Sequence, residues 1–114
     1  MYYYKIKSIE RVLDGDTVDA IIDLGFDISV KKRIRFYNVN APEVRTRNES
    51  IKKLGIESKI FLQNLLDSKS AIYLKSFGIG KYGRVIGELF LDEGMKKSVN
   101  SIMIAEGHLY EKTY

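Results

Sequence analysis

Three short segments carry the residue types from which a phosphodiester-cleaving site can be built. They are Asp14-Gly15-Asp16-Thr17, the run 35–43 (RFYNVNAPE), and Lys81-Tyr82-Gly83-Arg84. Cleavage of a phosphodiester gathers negative charge on the equatorial oxygens of a phosphorane-like transition state, and two guanidinium groups can stabilise that charge bidentately from two sides. Arg35 and Arg84 are the candidates. A carboxylate must position or deprotonate the attacking water, and Glu43 suits that role, placed directly after a proline that stiffens its turn. A hard cation neutralises remaining charge through oxygen ligands, for which Asp16, Asn40 and Ala41 are the candidates. Pro42 is the only proline in the chain. It pushes Ala41 out of the helical region and so fixes the direction of the Ala41 carbonyl.

Taken singly, each segment has an ordinary structural explanation. Asp-Gly is a common hairpin turn, a strand-end arginine usually lies in solvent, and Tyr-Gly-Arg is often only a loop. The argument for a site rests on the three together, which requires a fold that brings them to one place.

The first third of the chain is strand-like. Residues 2–12 are rich in tyrosine and β-branched residues, 17–24 alternate Val18, Ala20 and Ile22 against Asp19, Ile21 and Asp23, and 26–39 alternate Ile34 and Phe36 against Arg33, Arg35 and Tyr37. Turn signals at Asp14-Gly15 and Gly25 make these an antiparallel meander. Ile51, Leu54, Ile60, Phe61, Leu65 and Leu66 recur at helical spacing among good helix formers, predicting a helix over 49–67. Two strands follow, 71–77 and 84–91, joined by the glycine-rich loop 78–83. A last helix covers about 98–106, with Ser98 as N-cap and Gly107 as the residue past its end. The expected fold is mainly β with helices: a five-stranded barrel of the oligonucleotide-binding type, with a helix between strands 3 and 4 and a short helix after strand 5. No repeat or linker interrupts it, so a single domain over 1–114 is expected.

Composition sets the outer bounds. A chain of 114 residues, 45% hydrophobic and 30% charged, is long enough for a real core and too apolar for disorder. No apolar run approaches the ~20 residues of a membrane helix. Cysteine is absent, which excludes disulfides and thiol chemistry. The net charge of +4 mildly favours a polyanionic partner. Residues 1–11 read as a strand and lack the apolar stretch of a secretory signal, so the chain as written is expected in the cytoplasm; a secreted protein stripped of its leader would read the same. Lys31, Lys32 and Arg33, with Arg45 and Arg47, are candidates for following a phosphate backbone. His108, the only histidine, reads as a capping or surface residue.

With these residues in view, the chain resembles the staphylococcal nuclease (thermonuclease) family. The likeness rests on the DGDT turn, the run from Arg35 to the Ala-Pro-Glu at 41–43, the KYGR loop at 81–84, and Val99-Asn100 followed by Gly107. It implies an oligonucleotide-binding barrel and a calcium-dependent endonuclease that hydrolyses DNA and RNA to 3′-phosphate products, acting as a monomer. Carried over residue by residue, the resemblance makes Arg35, Glu43 and Arg84 catalytic. Asp16, Asn40, the Ala41 carbonyl and, through water, Glu43 become the metal ligands. Lys81 and Tyr82 become contacts to the terminal phosphate, and Tyr114, or Tyr110, a base-stacking contact. Two departures stand out. Asn40 replaces the family's second aspartate ligand, which predicts weaker calcium binding, and the sequence stops short of the family's long terminal helix. The competing expectation is a catalytically weak or inactive module of this family that binds nucleic acid or protein, and another divalent cation could stand in for calcium.

Overall fold

The alternating residues of 17–24 and 26–39 close into a barrel in the computed structural model, which describes residues 1–68 and 71–112. Among the described residues, seven strands and two α-helices follow in the order β1 (Tyr2–Asp14), β2 (Thr17–Gly25), β3 (Ile28–Phe36), β4 (Val39–Asn40), α1 (Glu49–Asp67), β5 (Ile72–Ile79), β6 (Val85–Phe90), α2 (Val99–Ala105) and β7 (Tyr110–Glu111). Five strands form a closed barrel in the order β1-β2-β3-β6-β5, with β5 returning to β1. All barrel pairs are antiparallel except β3 with β6. This is the expected oligonucleotide-binding type of barrel, with α1 between its third and fourth strands. Three register shifts in the long β1 bend it so that one strand can pair with both β2 and β5.

The inward residues are those the alternation picked out. Val18, Ala20, Ile22, Ile34 and Phe36 are all buried, joined by Leu74, Leu89, Val99 and Met103. At about 25 cal/mol per Å² of apolar surface, each large side chain so enclosed contributes on the order of 1.5–3 kcal/mol.

Three expectations need correcting. The strand predicted over 26–39 is broken: Phe26 and Asp27 form the β2–β3 turn with positive φ, and β3 stops at Phe36 before a second turn, in which Asn38 also has positive φ. Val39–Asn40 is a separate strand, paired with Tyr110–Glu111 in a two-stranded sheet outside the barrel. Helix α1 has the predicted bounds, but only half of the predicted apolar set packs inward: Leu66 is buried and Phe61 and Leu65 lie against the core. Gly55, Ser58, Leu62 and Leu66 turn inward, whereas Ile51, Leu54 and Ile60 are exposed. Small residues on that face let the helix axis lie close to what it covers, an approach that a row of leucines would forbid.

The helix ends follow their capping signals. Asn48 accepts from the backbone N–H groups of Ser50 and Ile51 ahead of α1, and Ser98 accepts from that of Ser101 ahead of α2. Helix α2 closes in a Schellman motif at Gly107, whose φ is +78°, with His108 N–H donating to the Met103 carbonyl and Gly107 N–H to that of Ile104. His108 thus serves the helix end. Its ring also packs against Phe61, and its carbonyl accepts from Ser58 Oγ.

Candidate active site

Register places the arginines. Parallel pairing aligns Ile34 with Val85 and Arg35 with Ile86, so one step back aligns Arg33 with Arg84 on the face that also carries Arg35. Across the other side of β3, Thr17 lies opposite Arg35. The β1–β2 turn therefore delivers Asp16 beside the Arg35 guanidinium, at 3.3 Å from Nη2 to Oδ2.

Asp16 is almost fully enclosed and heavily oriented. Its Oδ1 accepts from Thr17 Oγ1 at 2.8 Å, and its Oδ2 accepts from the Ala41 backbone N–H at 2.9 Å. The second bond fastens the β1–β2 turn to the segment before Pro42. Asn40 belongs to the same set: its Oδ1 accepts from Arg35 Nη2 at 2.5 Å, and Arg35 Nη1 donates to the Phe36 carbonyl at 3.0 Å. Two oxygens from different segments, Asp16 Oδ2 and Asn40 Oδ1, thus converge on one cationic nitrogen.

Two close approaches support this arrangement. A Cβ on Gly15 would fall on Ser58 Oγ, and one on Gly55 would lie 2.6 Å from the Glu43 carbonyl oxygen and 2.7 Å from that of Pro42. Neither glycine has positive φ. Both are needed for proximity, because α1 rests directly on the turn and on the backbone that carries Glu43. From the other side, Asn100 Nδ2 donates to the Tyr37 carbonyl and so braces the turn between β3 and β4.

The result is a cleft of about 570 Å³ lined by residues from all three segments, among them Asp16, Arg35, Asn40, Ala41, Glu43 and Arg84. Glu43 is exposed along its wall. Arg84 is half-buried, and its Nε is buried without a hydrogen-bond partner among the described residues. A buried guanidinium N–H left unpaired is costly. Lys81 and Tyr82 stand outside the cleft. Tyr82 is 90% exposed in left-handed backbone, with the Arg84 guanidinium 5.7 Å from its ring centroid. Tyr114 lies outside the described residues, while Tyr110 lines the cleft.

Sequence reasoning gave no individual role to several contributors. Asp14 lines the cleft, and burial, reinforced by the neighbouring charge of Asp16, raises its carboxyl above the ordinary aspartate range, against the opposing pull of Arg45, Lys59 and Arg35. Thr17 orients Asp16, and Gly55 seats the helix. A glycine in the middle of a helical pattern was the available signal for the last. Arg33 also lines the cleft but is committed to Asp19 through bonds of 2.8 and 3.1 Å. The hydrogen bond from Arg33 holds the Asp19 carboxyl below its usual value despite its burial.

Comparison with known proteins places the chain in one family. The profile of the family described as "Staphylococcal nuclease homologue" matches residues 33–112. That span includes Arg35, Glu43 and Arg84 but begins after the Asp16 turn. An "Uncharacterized endonuclease" of Escherichia coli is 30% identical over 99 residues, covering 87% of this chain and 56% of that protein. Endonuclease YhcR of Bacillus subtilis (strain 168) is 30% identical over 113 residues, covering 93% of this chain and 9% of that protein. Protein ParB of Escherichia coli is 23% identical over 107 residues, covering 88% of this chain and 53% of that protein. The chain spans about half the length of the first of these relatives, and both of the more similar ones are named as endonucleases.

Proposed function

The chain belongs to the family of staphylococcal nuclease homologues, and on that footing we propose that it is a metal-dependent endonuclease hydrolysing DNA and RNA to 3′-phosphate products. The observation that carries this reading is the cleft itself: Arg35, Arg84, Glu43 and Asp16 line one space, and Arg84 Nε within it lacks a partner among the described residues.

The proposed roles follow from position. Glu43 accepts a proton from the attacking water, which adds to phosphorus in line with the 5′ oxygen. Arg35 and Arg84 donate to the equatorial oxygens as charge builds there. The bond from phosphorus to the 5′ oxygen then breaks, leaving phosphate on the 3′ side and a 5′ hydroxyl that takes its proton from solvent. In this reading Tyr110, which lines the cleft, packs against sugar or base, and Lys81 and Tyr82 meet a phosphate beyond it.

The donor set fits a hard divalent cation such as calcium, since Asp16, Asn40, the Ala41 carbonyl and Glu43 through water all offer oxygen. Asp16 and Asn40 already turn oxygens toward one cationic nitrogen. When bound, a divalent ion would neutralise phosphate charge and polarise water. With asparagine at 40, and no cluster of three or more His, Cys, Asp or Glu among the described residues, the protein holds that ion with few charges. The same observation favours a second reading, a weakly active or inactive binding module.

Incubation with single-stranded DNA and calcium, with and without chelator, separates the two. Cleavage in the calcium tube alone is expected, reduced on the order of 10²- to 10³-fold by Arg84→Lys or Arg35→Lys. Negligible cleavage in both tubes with well-folded protein refutes the nuclease. A Glu43→Gln variant indistinguishable from the parent, while nucleic acid still binds, supports the module.

A further inference from the structure

Beyond the cleft, the first six residues of β3 have one free edge among the described residues. Strand β6 joins β3 only at Ile34–Phe36, so residues 28–33 pair with β2 alone. Between that edge and the loop before β6 runs a second groove of about 460 Å³, lined by Asp19, Lys31, Lys32, Arg33, Tyr82, Gly83 and Arg84. Four cations face one carboxylate there, and that carboxylate is already engaged by Arg33. Arg33 and Arg84 line both this groove and the cleft. The two spaces therefore adjoin, with these two side chains as their common wall.

Strand geometry gives the groove a repeat. Lys31, Arg33 and Arg35 lie on one face of β3, where two residues of an antiparallel strand advance about 6.8 Å; Lys32 falls on the other face by the same alternation but also lines the groove. That advance is about twice the ~3.4 Å step per nucleotide of a stacked duplex strand. A row of cations at that pitch suits a backbone drawn out with its bases unstacked, and the exposed Tyr82 ring opposite offers a surface on which a freed base can stack.

We propose that this groove is an extended phosphate subsite, in which Lys31 and Lys32 hold single-stranded nucleic acid one to two nucleotides beyond the bond being cut. The proposal rests on the nuclease reading for its direction from the cleft, but the groove's occupancy is measurable without cleavage. Lysines on a free strand edge also deter pairing with another chain. That role alone gives no dependence on oligonucleotide length.

The test is a fluorescence-anisotropy titration of labelled oligothymidylate, with chelator present to stop turnover. It compares a dinucleotide, too short to extend beyond the cleft, with a strand of about 16 nucleotides, the upper end of the site sizes for such barrels. Replacing both lysines (Lys31→Gln with Lys32→Gln) is expected to weaken binding of the longer strand and flatten its log Kd against log salt slope by up to about 1.4, at ~0.7 for each phosphate no longer neutralised. Binding of the short strand is expected to stay within about twofold, and the thermal melt unchanged, since both lysines are exposed. An unchanged slope for the longer strand, equal weakening of both strands, or no binding of the longer strand by the parent protein overturns the subsite. Calcium-dependent cleavage is scored separately. Its absence beside a length-dependent slope change defeats the nuclease and leaves the groove standing, and the reverse result does the opposite.

Discussion

Replacing Gly55 with alanine adds one methyl group to the face of α1 that supports Pro42 and Glu43. The new Cβ would sit 2.6 Å from one carbonyl oxygen, 2.7 Å from another and 2.8 Å from the Glu43 carbonyl carbon. All three are backbone atoms, so no side chain can rotate away. Ordinary contact begins near 3.4 Å, and relief therefore takes a displacement of about 0.8 Å between the helix and the Glu43 segment. Overpacking of this kind costs ~1–3 kcal/mol. Alanine offsets part of it, being ~0.8–1.0 kcal/mol more favourable than glycine inside a helix. The net loss of stability is then about 1 kcal/mol, or ~4–8 °C in Tm for a domain of this size. Turnover should suffer far more, because a misplacement near 1 Å at a reacting group can cost about 10²-fold. The assay pairs calcium-dependent cleavage of single-stranded DNA with a thermal melt, using Lys53→Ala on the exposed side of α1 as the control. Gly55→Ala protein that is folded and cleaves within about twofold of the parent refutes the reasoning that α1 sets the position of Glu43.

Two further outcomes are expected. Asn40→Asp supplies a second carboxylate beside Asp16, and the calcium concentration giving half-maximal cleavage should fall, as read by calcium titration; a midpoint unchanged or raised counts against Asn40 as a ligand. The Asp19 carboxyl is held below the ordinary aspartate value, chiefly by the hydrogen bond from Arg33, so its contribution to stability is fully present above the unfolded value of about 3.9 and is lost as pH falls through the lowered one. Urea melts from about pH 5 to about pH 2 should accordingly show a shallower acid loss for Asp19→Asn than for the parent.

Much of the barrel was legible because one side of each strand faces the core. Val18, Ala20 and Ile22, then Ile34 and Phe36, declare a period of two, and burial follows it. Helix α1 was legible in extent but not in orientation. Its apolar residues are spread around the axis, and the inward face is set by how closely Gly55 approaches the Glu43 backbone and Ser58 the turn at Gly15, a tertiary fact with no periodic signature. The break after Phe36 was hidden because Tyr37 and Val39 keep the stretch apolar although they fall out of phase with Ile34 and Phe36, while Asn38, which tolerates the left-handed turn, is a weak cue. At the site, Arg35, Glu43, Arg84 and Asp16 could be named from chemistry. Their meeting could not, since it depends on the parallel register of β3 and β6 and on the Asp16–Ala41 bond.

The small sheet of β4 and β7 bears on the order of events at the ribosome. Asn40 takes its strand partner from Tyr110, seventy residues later in the chain. Synthesis releases the strands bearing Asp16 and Arg35 early, and Arg84 well before the partner arrives. A nascent chain therefore carries every proposed working group before Val39–Asn40 has its strand partner. The cleft acquires the Tyr110 side of its wall only when residues 110–111 are free to pair, so that side of the site waits on a contact between residues seventy positions apart.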